Sequence, residues 1–178
     1  MNKTILQWLI IFMALLFLVL VQHTLNIRFF QDTAYLNLVL VFLIFVLIFR
    51  GMTVALQLAV LSGLFLDFLA SSVDGTLILG FVLTLVVSQA IMNTFLSKDL
   101  LKAVIVLIIE ASVVFPLFLL LISFITNVFT DAWLFDYRLF FTDDFVYGVI
   151  LNLLLAYPLY IYYKLVDKAA LVNKYEPV

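Results

Sequence analysis

Long apolar runs separated by short polar segments dominate the chain. A helix needs about 20 predominantly apolar residues to cross the roughly 30 Å hydrocarbon core of a bilayer. Six runs approach or exceed this length, and we interpret them as candidate spans: residues 5–21, 34–50, 52–70, 76–96, 101–126 and 145–166. The pattern therefore predicts an all-α membrane protein, a bundle of six transmembrane helices that forms a single domain.

The second run is the shortest and leaves an alternative open. Its continuous apolar part, 36–49, has 14 residues, a length that also suits a re-entrant segment. Adding residues 34 and 35 and a snorkelling Arg50 extends it to 17 residues. We prefer a full crossing, because a five-span arrangement leaves this apolar run without one. Since small and polar residues are almost lacking after Asn37, we expect lipid around much of its circumference.

Lysine and arginine are unevenly distributed among the segments that join the runs. Cytoplasmic segments of membrane proteins collect these residues. With six spans and a cytoplasmic N-terminus, seven of the nine lie inside: Lys3, Arg50, Lys98, Lys102, Lys164, Lys168 and Lys174. Only Arg28 and Arg138 lie outside. We therefore predict cytoplasmic termini, although the five-span arrangement, which exchanges Lys3 for Arg28, scores equally.

The composition supports a membrane protein and excludes several kinds of chemistry. The chain is 67% hydrophobic and 11% charged, whereas soluble domains have about 45 to 50% apolar and 25% charged residues. It has no cysteine and a single histidine, His23, so thiolate and multi-histidine metal sites are excluded. No phosphate-binding loop, nucleophile elbow or metal motif is present. We expect a protein that is not an enzyme, without cofactor or metal and without a nucleic-acid partner.

The stretch 51–80 combines an intramembrane acid with two rows of small residues, and we expect the rest of the chain to be organised around it. Reading every fourth residue gives Ala55, Ala59, Gly63, Asp67 and Ser71, and then Thr76, Gly80, Thr84 and Ser88. Positions four apart share a helix face, and small residues let helices approach closely in a membrane. We predict a tightly packed helical hairpin with close contacts at Gly63 and Gly80 and a turn that contains Gly75.

Two acids lie well inside the predicted spans, Asp67 and Glu110. Such groups are costly to bury and are functional candidates by default. Asp67 is about 24 Å from the cytoplasmic end of its span and Glu110 about 12 Å from the same side, which disfavours the paired carboxylates of an aspartyl protease. Each acid has two interpretations. It is either a hydrogen-bonded structural group, which for Asp67 would hold the turn at 71–75, or a proton carrier.

Two features lie towards the C-terminus. The acidic and aromatic segment 128–145 is predicted to lie outside, as an interfacial helix or as a protein-binding loop. In the last span, Gly148, Asn152 and Ala156 repeat the four-residue spacing. This row predicts that the last helix packs into the bundle.

The stretch RGMTVALQLAVLSGLFLDFLASSVDGTLILG resembles the MreD family of rod-shape-determining proteins of the bacterial inner membrane. The likeness also covers the size and span pattern of the chain. The motif comprises a basic residue and glycine, a helix ending in GLxxD, and a short loop with glycine before the next helix. The matching positions are Arg50, Gly51, Gly63, Leu64, Asp67, Gly75 and Gly80. The chain departs from the family before its second span, where Leu36 stands in place of a frequent proline.

The resemblance implies a non-enzymatic scaffold of the cell-elongation complex. Proteins of this family bind the bitopic protein MreC and help to organise the RodA glycosyltransferase, a class B penicillin-binding protein and actin-like MreB. Their fold is similar to the substrate-binding S components of energy-coupling-factor vitamin transporters, which supplies an alternative function. That alternative favours an alanine-rich first span, and the run 5–21 has only Ala14.

Overall fold

The fold consists of helices throughout the part of the chain that the structure describes, residues 3–29, 37–70, 75–95, 100–130 and 143–172. In this computed structural model the helices are α1 Lys3–Phe29, α2 Leu38–Arg50, α3 Met52–Ala70, α4 Thr76–Phe95, α5 Leu100–Thr130 and α6 Asp143–Val172. The described residues contain no strand, so the prediction of an all-α fold is confirmed. Most of the segment 128–145 and of the turn at 71–75 lies outside the described residues.

Three of the helices are long and apolar enough to cross a membrane, at Met52–Leu69, Thr76–Thr94 and Leu101–Thr126. The other apolar helical stretches are shorter within the described residues: Phe12–Leu25, Leu38–Arg50 and Phe145–Ile161. Large apolar side chains also point outward from the bundle, and Phe68 of α3 is 82% exposed. Apolar surface of this extent is typical of a protein that faces lipid. The chain therefore has the character of a membrane protein, while six complete crossings remain a prediction.

Helix α2 is the centre of the bundle, so the prediction that lipid surrounds it is wrong. It contacts each of the other five helices. Eight of its thirteen residues are buried, from Val39 to Leu47. A helix that is hydrophobic all round suits a protein core as well as it suits lipid, and the sequence of α2 does not distinguish the two. The molecule is therefore arranged around α2, and the hairpin of α3 and α4 packs beside it.

Both ends of α2 are set by single residues. Asn37 caps the first turn, since its side chain accepts a hydrogen bond from the N–H of Leu40. The helix consequently begins at Leu38, later than the span predicted from residue 34; residues 34–36 lie outside the described part. At the other end Gly51 adopts φ +86°, a left-handed conformation that glycine adopts without steric cost. Helix α3 then begins at once, at Met52.

Candidate functional site

Asp67, near the end of α3, caps the start of α4. Its carboxylate accepts hydrogen bonds from the backbone N–H groups of Gly75 at 3.1 Å, Leu77 at 3.0 Å and Ile78 at 3.4 Å. The first N–H groups of a helix have no partner within the helix, and a negative charge is favourable beside them. The side chain is only 4% exposed. Asp67 therefore joins the two helices through the backbone of α4.

Gly75 supplies the backbone geometry that this cap needs. Its φ is +90°, a value that residues with a Cβ rarely adopt. No other group lies within 4 Å of the position that a Cβ would occupy. Glycine is thus favoured at position 75 because of its backbone conformation, whereas a side chain there would not meet a steric clash.

Gly63 marks the closest approach of α3 and α4. A Cβ at this position would lie 2.6 Å from the Cα of Ile78 and 2.8 Å from its backbone nitrogen. Ile78 also donates to Asp67. The close packing and the cap therefore occur at the same turn of α4.

Gly80 lies in a different interface from the one predicted. A Cβ there would meet side-chain atoms of Phe115 and Leu119 of α5, each at 3.0 Å. The row of small residues to which Gly80 belongs is buried, and its last member, Ser88, also bonds to α5. The spacing correctly indicates a packing face but does not identify the neighbour. The hairpin has a close contact at Gly63, whereas Gly80 belongs to the contact between α4 and α5.

Glu110 of α5 bonds to the hydroxyl of Ser88 of α4. Ser88 Oγ donates to Glu110 Oε2 at 2.6 Å. The other carboxyl oxygen, Oε1, is buried and has no hydrogen-bond partner among the described residues. Ser88 is ten residues beyond Ile78, or about 15 Å along α4. The two acids thus bind to separate parts of α4.

A cluster of polar side chains surrounds the first turn of α2, and sequence reasoning missed it. The N–H of Val39 donates to Oε1 of Gln22 in α1 at 2.9 Å. The N–H of Leu40 donates to Oδ1 of Asn37, also at 2.9 Å. Asparagine is a preferred residue at a helix start, so Asn37 carried a signal for this cap. Nothing in the sequence indicated the second cap, which comes from another helix.

The cluster extends to α5 and α6 through Asn152. Its Oδ1 accepts from the N–H of Asn37 at 3.0 Å, and its Nδ2 donates to Oγ of Ser112 at 3.1 Å. With Gly148 and Ala156, Asn152 forms a buried row on α6, as the four-residue spacing predicts. We name Gln22, Asn37, Ser112 and Asn152 the α2 cap cluster. Its four side chains connect α1, α5 and α6 at the start of α2.

The chemistry of these groups is that of caps and interhelical hydrogen bonds. Among the described residues, no three His, Cys, Asp or Glu side chains are grouped so that they could hold a metal ion. Comparison of the chain with protein-family models, with curated proteins and with solved structures gave no match. The function must therefore be argued from the residues and their contacts.

Proposed function

We propose that the protein is a non-enzymatic scaffold of the bacterial cell-elongation complex. In this role it lies in the inner membrane, binds an MreC-like bitopic protein and helps to organise peptidoglycan synthesis and cell shape. RodA, a class B penicillin-binding protein and MreB would belong to the same assembly. The observation that carries the proposal is the capping of α4 by Asp67.

This contact supports the proposal because it gives a structural reason for the motif that resembles the MreD family. Gly51 ends α2 with a positive φ, and Gly63 lies against the backbone of Ile78. Asp67 and Gly75 form the cap, and Gly80 packs on α5. Three of the seven matching positions, Gly63, Asp67 and Gly75, thus hold α3 and α4 in one fixed arrangement. A partner can dock on a preformed surface without the cost of ordering it.

We further propose that all six helices cross the membrane, with both termini in the cytoplasm and a fold similar to that of energy-coupling-factor S components. The helical architecture and the three long apolar helices support this arrangement. The uneven distribution of lysine and arginine supports the orientation.

The experiment is co-purification of the MreC-like partner from membranes of a rod-shaped host that lacks its own gene for this protein. Asp67→Leu removes the acceptors for α4 and should abolish co-purification and give rounded cells. Asp67→Asn keeps one acceptor oxygen and should retain part of the binding. Val86→Leu, at an exposed position of α4, is the control for expression and membrane insertion.

The outcomes separate three functions. If Asp67→Leu retains both partner binding and rod shape at matched expression, Asp67 does not organise a docking surface. Equal failure of the Asn and Leu variants, although both are folded, is the outcome that the proton-carrier interpretation expects. If the wild type co-purifies with a pair of ATPases and not with an MreC-like protein, the transporter alternative replaces the scaffold.

A further inference from the structure

The half-buried acid of α5, Glu110, has fewer hydrogen bonds than its two oxygens can accept. Ser88 Oγ of α4 lies 2.6 Å from Oε2. Oε1 is buried and has no hydrogen-bond partner among the described residues. Asp67, the other intramembrane acid, accepts from three backbone N–H groups, and both of its oxygens take part. Glu110 is therefore the acid for which the fold supplies too few donors.

The surroundings of Glu110 are apolar. It lies within the apolar stretch Leu101–Thr126 of α5. The side chains one turn before it and one turn after it, Val106 and Val113, point outward, with 41% and 36% of their surface exposed. A face of this kind meets lipid in a membrane, and the hydrocarbon of lipid donates no hydrogen bond. Protein and lipid thus keep water away from Oε1.

The helices that pack against α5, which are α2, α4 and α6, place no charge beside Glu110. α4 has no ionisable side chain, and Arg50, the only one of α2, stands at its last position. Between residues 145 and 161 the ionisable side chains of α6 are tyrosines: Tyr147, Tyr157 and Tyr160. Lys102, the other ionisable residue of α5, lies about 12 Å away along the helix. Within the described residues, Glu110 has no hydrogen-bond partner except Ser88 and forms no ion pair.

This geometry fits a carboxylic acid better than a carboxylate. A charge with one donor in apolar surroundings is costly. A proton on Oε2 can instead be donated to Ser88 Oγ, because a hydroxyl accepts as well as donates and a separation of 2.6 Å suits either direction. Oε1 is then an uncharged carbonyl oxygen, and the absence of a partner costs less for a neutral group than for a charged one.

We propose that Glu110 is a proton-binding site: the folded protein holds this side chain as a carboxylic acid bonded to Ser88, and the unfolded chain releases the proton. Loss of the proton places a negative charge at the contact between α4 and α5 with a single donor to stabilise it. Raising the pH should therefore weaken this contact. Asp67 binds a different part of α4, so the scaffold role and the proton site can fail independently.

The sequence allows the protonation of Glu110 to be observed directly. The chain contains two glutamates, Glu110 and Glu176. In a Glu176→Gln background, glutamate that is isotope-labelled at its side-chain carboxyl carbon reports on position 110 alone. The purified full chain in a neutral detergent is measured by carbon NMR from neutral to alkaline pH. We expect the signal of a carboxylic acid at neutral pH, and its movement to the position of a carboxylate as the pH rises.

The pH dependence of unfolding tests whether folding binds the proton. Glu110→Gln keeps the shape of the acid and cannot ionise. Stability falls with rising pH wherever the folded state holds more protons than the unfolded state. For one proton, the folding equilibrium constant of the wild type should fall by up to about tenfold per pH unit relative to Glu110→Gln. Unfolding by a denaturing detergent measures this ratio, and Glu176→Gln, which removes the other glutamate, should follow the wild type.

A carboxylic-acid signal at neutral pH together with the steeper pH dependence of the wild type supports the proton site. A carboxylate signal at neutral pH overturns it, and a shift of that signal when sodium replaces choline in the buffer identifies a bound cation instead. Parallel pH dependences of the wild type and Glu110→Gln also overturn it, because folding then takes up no additional proton. If Glu110→Gln does not fold, the signal of Glu110 in the Glu176→Gln chain decides alone.

Discussion

At the scale of single residues, the role of Asp67 follows from the hydrogen bonds that its two side-chain oxygens accept. The carboxyl group has two oxygens, and both accept hydrogen bonds: Oδ1 from Leu77, and Oδ2 from Gly75 and Ile78. A hydrogen-bonded acid that holds the turn at 71–75 was one of two interpretations that the sequence left open, the other being a proton carrier. The sequence did not show that the first turn of α4 is the target, because that depends on how the two helices meet at Gly63. A local motif thus indicated the residue and the type of bond, and the tertiary contact selected the partners.

Asp67→Leu should destabilise the protein by about 2 to 3 kcal/mol, because the N–H groups at the start of α4 lose a charged acceptor. Asp67→Asn should cost about half as much, since its single carbonyl oxygen can replace only one of the two acceptors. Unfolding by a denaturing detergent in mixed micelles measures both values. Phe68→Leu, at the exposed neighbouring position, should leave stability unchanged. Equal stability of all three variants would mean that the cap adds nothing to the fold.

The two packed glycines should respond differently to alanine. Gly63→Ala places a Cβ against the backbone of Ile78, so the helices must separate, at a cost of about 1 to 3 kcal/mol. Gly80→Ala meets side-chain atoms of Phe115 and Leu119 at 3.0 Å and no backbone atom, so it should cost less than Gly63→Ala. The same unfolding assay compares the pair. A larger loss for Gly80→Ala would contradict the packing described for α3 and α4.

At the scale of elements, the periodicity of the sequence predicted where the helices lie better than it predicted which helices contact one another. The predicted span 52–70 coincides with α3, and 76–96 differs from α4 by one residue at its end. Spacing by four residues also identified the buried faces of α3, α4 and α6. It could not assign the face of Gly80 to α5, because small residues permit close approach without selecting a partner. Ser88 and Glu110 supply part of that selection through a polar bond between the two helices.

A double-mutant cycle tests the contribution of this polar bond. Ser88→Ala removes the hydroxyl that donates to Glu110 and leaves this half-buried carboxyl without a hydrogen-bond partner among the described residues, which should cost about 1 to 3 kcal/mol. Glu110→Leu in the Ser88→Ala background removes the unpartnered group and should restore most of the loss. Unfolding of the two single variants and the double variant gives the coupling energy. Additive effects would show that the hydroxyl and the carboxyl do not stabilise one another.

At the scale of the whole molecule, the central position of α2 is the feature that the sequence did not reveal. Its apolar residues suit either lipid or a protein core, and only the arrangement of the other five helices decides between them. The α2 cap cluster was equally inaccessible, because Gln22 and Asn152 are far from Asn37 in sequence and come together only in the bundle. The helical structure and the apolar character of the chain follow from local sequence patterns. Which helix lies at the centre of the bundle depends on contacts between residues that are distant in sequence.

The short length of α2 makes the topology the most informative measurement on the whole chain. Its 13 residues extend about 20 Å, less than the roughly 30 Å of a hydrocarbon core, so a complete crossing needs residues before Leu38. The chain has no cysteine, which makes single-cysteine labelling unambiguous. With six crossings, Asn2→Cys should be protected from an impermeant reagent in intact spheroplasts and react after permeabilisation, while Trp133→Cys should react in both. Reaction at both positions in intact spheroplasts would place the N-terminus outside and establish five crossings, with α2 as a buried helix that does not span the membrane.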